Sequence, residues 1–265
     1  MTNWLIPTAA ALLYLAATAR LLHRVPADGA GRGDALALAL AVPAVALHAL
    51  VHGRDWLALG GWDPSFATAL SLVALGMAAL TALTVRTPRL DALGVVVFPL
   101  AAALLLAYRA LGGGSPDPLD WRLMLHAWLA LLSYATLALA ALLALMLWLQ
   151  ERGLRHRQVP GWLERLPPLT QLETLLFRSL GTAFALLTAT LLTGVLFVED
   201  MLAQHLWHKT VLSVLSWAVL ATLLFGRWRW GWRGPRAVRL TLTAMGLLLL
   251  AYFGVKYVLV ALGRA

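Results

Sequence analysis

"RLMLHAWLALLSYATLALAALLALMLWLQERGLR", residues 122–155, decides the fold. Between residues 123 and 149 it carries no Asp, Glu, Lys or Arg; His126, Ser133, Tyr134 and Thr136 are its polar side chains. A hydrocarbon core takes about 20 such residues to cross as a helix, because backbone groups cannot stay unpaired there. This run is longer than that, so its helix tilts or emerges on one side.

Outward from it lie similar runs at 4–22, 35–52, 66–85 and 91–111 on one side and at 177–198, 210–226 and 240–261 on the other. The 265-residue chain is 61% hydrophobic and 12% charged, whereas a soluble domain is about a quarter charged. The expectation is an all-α, polytopic membrane bundle of about eight transmembrane helices, forming one membrane domain over 1–265. The run at 4–22 has no basic segment before it, so it reads as a retained helix rather than a signal peptide. Between the fifth and sixth runs, "LPPLTQLETLLFR" (166–178) places Thr170 three residues before Glu173, the pattern of a capping box opening a helix.

Lys and Arg placement sets direction. Arg20, Arg24 and Arg32 fall in the first loop, Arg86 and Arg89 in the third, Arg152, Arg155, Arg157, Arg165 and Arg178 in the fifth. Arg227, Arg229, Arg233, Arg236 and Arg239 fall in the seventh, against Arg54, Arg109, Arg122 and Lys209 in the even loops. Odd loops are therefore expected in the cytoplasm and both termini on the outer, periplasmic side of a bacterial inner membrane. The net charge of +9 then reports topology, not nucleic-acid binding. "RWRWGWR" (227–233) reads as an interfacial belt against anionic headgroups.

The chain has no cysteine, which excludes a disulfide framework and covalent heme attachment through a Cys-x-x-Cys-His sequence of its own. It also lacks the serine-hydrolase, phosphate-loop and His-Glu-x-x-His patterns, so hydrolytic and transfer chemistry are not expected.

Histidines are the remaining signal. His23 and His156 lie beside arginines and read as solvated. His48 and His52 share a helix face near the outer end of the second run, His126 opens the fifth, and His205 and His208 occupy the sixth loop. An ionisable group inside an apolar run, as at His48, is a functional hypothesis by default. Zinc would ask for three or four ligands, and Glu199, Asp200, His205 and His208 match no strong zinc spacing. Isolated histidines on separate helices suit heme iron better, since it needs one or two axial ligands and an apolar slot.

The 122–155 stretch resembles the histidine-led span of the cytochrome c assembly family, the CcsA/CcmC type of heme-handling membrane proteins. "LPPLTQLETLLFRSLGTAFALLTATLLTGVLF" is similar to the next segment of that family, a short helix and a span ending in a Thr-Gly pair. "GWRG" (231–234) and "LAYFGVKYVL" (250–259) are similar to that family's last loop and last span. The N-terminal half resembles the short YpjD/HemX-like branch. The resemblance implies non-covalent, b-type heme held at the outer face. It assigns iron ligation to His126 and to His48, the span-two histidine of the short branch. Lys209 matches the lysine of the family's Trp-Asp-Pro-Lys-Glu heme cradle, and His208 and Arg122 border the same rim. Lys209 or Arg122 would pair with heme propionates.

In that cradle's place stands "FVEDMLAQHLWHK", with Trp207 its one tryptophan. The family's histidine after the next span would fall near Gly226, where no histidine occurs, and the last outer His-Ser-Tyr segment is missing too. The expected function is accordingly an accessory heme-binding protein, not a full heme lyase. Its partners would be heme or porphyrin, the bilayer and other membrane proteins of cytochrome assembly, with no nucleic acid. The alternative is a non-enzymatic, tetrapyrrole-related membrane regulator docking through residues 158–178. A transporter fits less well: the halves show no repeat, and charges lie at the ends of spans.

Overall fold

A computed structural model describes residues 4–23, 34–61, 63, 65–84, 92–111, 120–155, 168–197 and 207–254. These form α1 (Leu5–His23), α2 (Ala35–Leu59), α3 (Phe66–Thr84), α4 (Ala92–Leu111), α5 (Trp121–Arg155), α6 (Leu169–Phe197), α7 (Trp207–Trp230) and α8 (Pro235–Leu249). No strand occurs among the described residues. Seven of the helices, α1 to α7, are long and apolar enough to cross a membrane. The described part of α8 is shorter, 15 residues before a π-helical turn at Leu250–Gly254. Over the described residues each apolar run is thus helical. His156, Glu199, Asp200, His205 and Lys256 lie outside the described residues, as do residues 158–167 of the expected docking segment.

Helices α1 to α4 make one compact unit and α5 to α8 another. In the first, α1 packs on α2 and α4, and α3 on α4. Fully buried alanines at 10, 17, 37, 41 and 44 allow close approach of backbones, which drives helix association where the surroundings are as apolar as the side chains. Asp34 caps α2, its Oδ1 accepting from the Leu36 and Ala37 N–H groups at 3.0 Å. Its Oδ2 pairs with Arg20 Nε at 3.0 Å, tying the start of α2 to the end of α1. At the far end of α2, Gly60 adopts φ +69° and closes the helix by donating its N–H to the Trp56 carbonyl.

In the second unit α5 packs chiefly on α6, and α8 on α5 and α7. Polar side chains stitch the helices together. Ser216 Oγ donates to the Ala244 carbonyl at 2.8 Å, Trp217 Nε1 to Thr188 Oγ1 at 2.8 Å and Tyr134 OH to the Leu248 carbonyl at 2.7 Å. The π turn at Leu250–Gly254 follows two residues after the carbonyl that Tyr134 holds.

The ends of α5 and α6 refine the sequence reading. Helix α5 runs to Arg155, so the long fifth run emerges beyond the apolar region at its C-terminal end. The capping box is corrected. Helix α6 begins at Leu169, with the Pro168 carbonyl accepting from Gln171 and Leu172 N–H. Thr170 is therefore inside the first turn and cannot cap. Glu173 turns instead toward Arg227 of α7, 4.0 Å away.

Candidate functional site

In the α1–α4 unit, His48 is completely buried. Its Nε2 lies 2.9 Å from Ser71 Oγ on α3, and its Nδ1 faces Tyr14 OH on α1 at 3.4 Å. His52, one turn further along α2, places its own Nε2 2.9 Å from the same Ser71 oxygen. The two imidazoles stack with centroids 5.5 Å apart. A serine hydroxyl has one proton, so it donates to one ring and accepts from the other. With both rings neutral, their Nε2 atoms must differ, one bare and one protonated. His52 also lies against Tyr108 of α4, centroids 4.6 Å apart. Tyr108 OH and Arg109 Nη1 both donate to Asp55 Oδ2 at 2.8 Å. All four helices thus contribute to one polar network, and both ring nitrogens of His48 are engaged within it.

In the α5–α8 unit, His126 is half-buried near the start of α5, and its Nδ1 lies 3.2 Å from Thr193 Oγ1 on α6. Thr193 has committed its own proton to its helix, donating to the Ala189 and Thr190 carbonyls at 2.9 and 3.0 Å. With that proton on its own helix, Thr193 Oγ1 accepts from His126 Nδ1, and the Nδ1-protonated tautomer carries its lone pair on Nε2. The next residue, Gly194, lets the ring lie flush on α6: a Cβ there would stand 3.1 Å from His126 Cε1. An imidazole anchored through Nδ1 with Nε2 bare is the form that ligates a metal.

The same end holds the other expected residues of this unit. Arg122 is largely exposed, over the Trp121 ring at 5.6 Å and the Phe197 ring at 6.0 Å. His208 and Lys209 are half-buried in the first turn of α7. His208 Nε2 is buried and has no hydrogen-bond partner among the described residues, a state that costs about 1–3 kcal/mol unless something binds there. No cluster of three or more metal-ligating side chains occurs among the described residues; heme iron needs only one or two histidines.

Residues 58–262 match the model of the Cytochrome C assembly protein family. The chain belongs to the cytochrome c assembly family. An uncharacterized 28.8 kDa protein of Azospirillum brasilense is 36% identical over 252 residues, 89% of each chain. Inner membrane protein YpjD of Escherichia coli is 31% identical over 231 residues, 84% of this chain and 86% of its own. Cytochrome c biogenesis protein CcsA of Parasynechococcus marenigrum is 25% identical over 158 residues, about half of each. No solved structure matches. The family match takes in His126, Thr193, Gly194 and His208 and stops short of His48 and His52.

Tyr14, Ser71, Asp55 and Tyr108 were not anticipated as partners of the histidines. Their one signal is isolation: a lone polar side chain in an apolar run has to find a partner. Thr193 and Gly194 were visible as a family Thr-Gly pair, though not as the support of His126.

Proposed function

We propose that this cytochrome c assembly family member is an accessory heme-binding protein of the bacterial inner membrane. The histidine end of the α5–α8 unit holds a non-covalent heme at the outer face. The observation that carries this reading is the 3.2 Å approach of His126 Nδ1 to Thr193 Oγ1, which holds the ring and, in the Nδ1-protonated tautomer, leaves Nε2 for iron. His208, with its orphaned Nε2, is the second ligand of the same unit. Arg122 and Lys209 stand where propionates would be paired, and Trp121 and Phe197 supply apolar rim. When bound, the heme iron supplies redox chemistry and a presentable cofactor. The protein's own work is to bind, orient and shield it. In this reading His48 serves the four-helix network instead, where its nitrogens face Ser71 and Tyr14. Arginine distribution supports the outward placement of the histidine end, and the inner-membrane relative YpjD supports the compartment.

The full-length protein, purified in detergent and titrated with hemin, is expected to bind at one site with a Soret band of histidine-ligated heme. Thr193→Val should weaken binding about 10–100-fold by releasing the ring from its anchor, and His208→Ala should shift the spectrum toward a five-coordinate form. Absence of any Soret change on adding hemin to the wild type overturns the proposal.

A further inference from the structure

The opposite end of the α5–α8 unit carries a different chemistry. Helix α7 ends in Arg227, Trp228, Arg229 and Trp230, and α8 starts at Pro235 after a turn in which Gly231 and Gly234 adopt φ +66° and +55°. The turn is rigidly held. Gly231 and Trp232 donate their N–H groups to the Arg227 and Gly226 carbonyls at 3.1 and 3.2 Å, and the Trp232 indole lies directly on Gly226 and stacks on Trp230 at 5.6 Å. Arg227 is spent inward, against Glu173, over the Phe177 ring at 4.4 Å and onto the Trp232 carbonyl.

Of the remaining cations, Arg236 lies over the Trp232 ring at 5.9 Å and Arg239 Nε donates to the Pro235 carbonyl at 3.3 Å. Arg229, Arg233, Arg236 and Arg239 are exposed, and none has a carboxylate partner among the described residues. Beside them Trp228 and Trp230 are 81% and 59% exposed. Exposed indoles at the end of a membrane-crossing helix settle at the headgroup level. Guanidinium groups fixed there meet phosphates in bidentate geometry. We infer that the α7–α8 turn is a binding site for the phosphate of an anionic phospholipid in the leaflet at this end. Charge complementarity, together with the exposed indoles beside the arginines, selects a lipid as the occupant. Lipid binding here is independent of heme binding, since these residues lie at the end of the unit remote from His126.

The test is native mass spectrometry of the full-length, delipidated protein titrated with phosphatidylglycerol, phosphatidylcholine, glycerol 3-phosphate or a single-stranded oligonucleotide. Phosphatidylglycerol should be retained preferentially. The triple variant R229Q/R233Q/R236Q should lose about fivefold in affinity per arginine, on the order of 100-fold together, while Arg54→Gln at an unrelated exposed site should lose none. If the triple variant elutes as aggregate, Arg229→Gln alone should still show its fivefold share. Equal retention of phosphatidylcholine, undiminished phosphatidylglycerol binding by folded variants, binding of glycerol 3-phosphate as tight as that of lipid, or preferential capture of the oligonucleotide would each overturn the inference.

Discussion

Replacing Ser71 with alanine is expected to destabilise the protein by about 2–5 kcal/mol, because two imidazole nitrogens lose their shared partner at once. His48 and Ser71 are fully buried, so water cannot take the place of the hydroxyl, and each orphaned polar atom keeps its desolvation cost. A thermal melt in detergent reads the effect. Ser71→Thr retains the hydroxyl and should recover most of the loss. His48→Leu alone separates two roles for this histidine. A network residue predicts a lower melting point with an unchanged heme spectrum. An iron ligand predicts the reverse, a changed spectrum with little loss of stability.

Gly226→Ala is the second large effect. A Cβ at this position would lie 2.5 Å from the Cδ2 atom of Trp232 and closer still to its Cε3. The indole cannot yield by rotating a flexible tip, and its backbone is pinned to the Gly226 carbonyl. The expected loss is about 1–3 kcal/mol, read as a lower melting point and relieved when Trp232→Ala is added.

Legibility in the sequence depends on how far each interaction reaches along the chain. Every apolar run is helical over its described residues, because backbone satisfaction in hydrocarbon is a local demand. Helix ends were less legible. Thr170 and Glu173 have the spacing of a capping box, yet the Pro168 carbonyl opens α6, and Glu173 is drawn to Arg227, far along the chain on α7. The candidate site divided the same way. His126 and the Thr-Gly pair were visible as residues, but the hydrogen bond that sets the tautomer joins positions 67 apart. His48 stood out by its place in an apolar run, and only the folded helices bring Ser71 and Tyr14 to its ring. His208 was placed by the resemblance on the rim of the cradle position, but its orphaned nitrogen shows itself only once burial is known.

Ligation of heme iron by His126 Nε2 is the central claim, and replacement of the ring by its small-molecule equivalent tests it most directly. In His126→Gly the protein should lose the Soret signature of histidine-ligated heme, and added imidazole should restore it in a saturable manner. A His126→Gly protein that keeps the wild-type spectrum without imidazole would contradict the account.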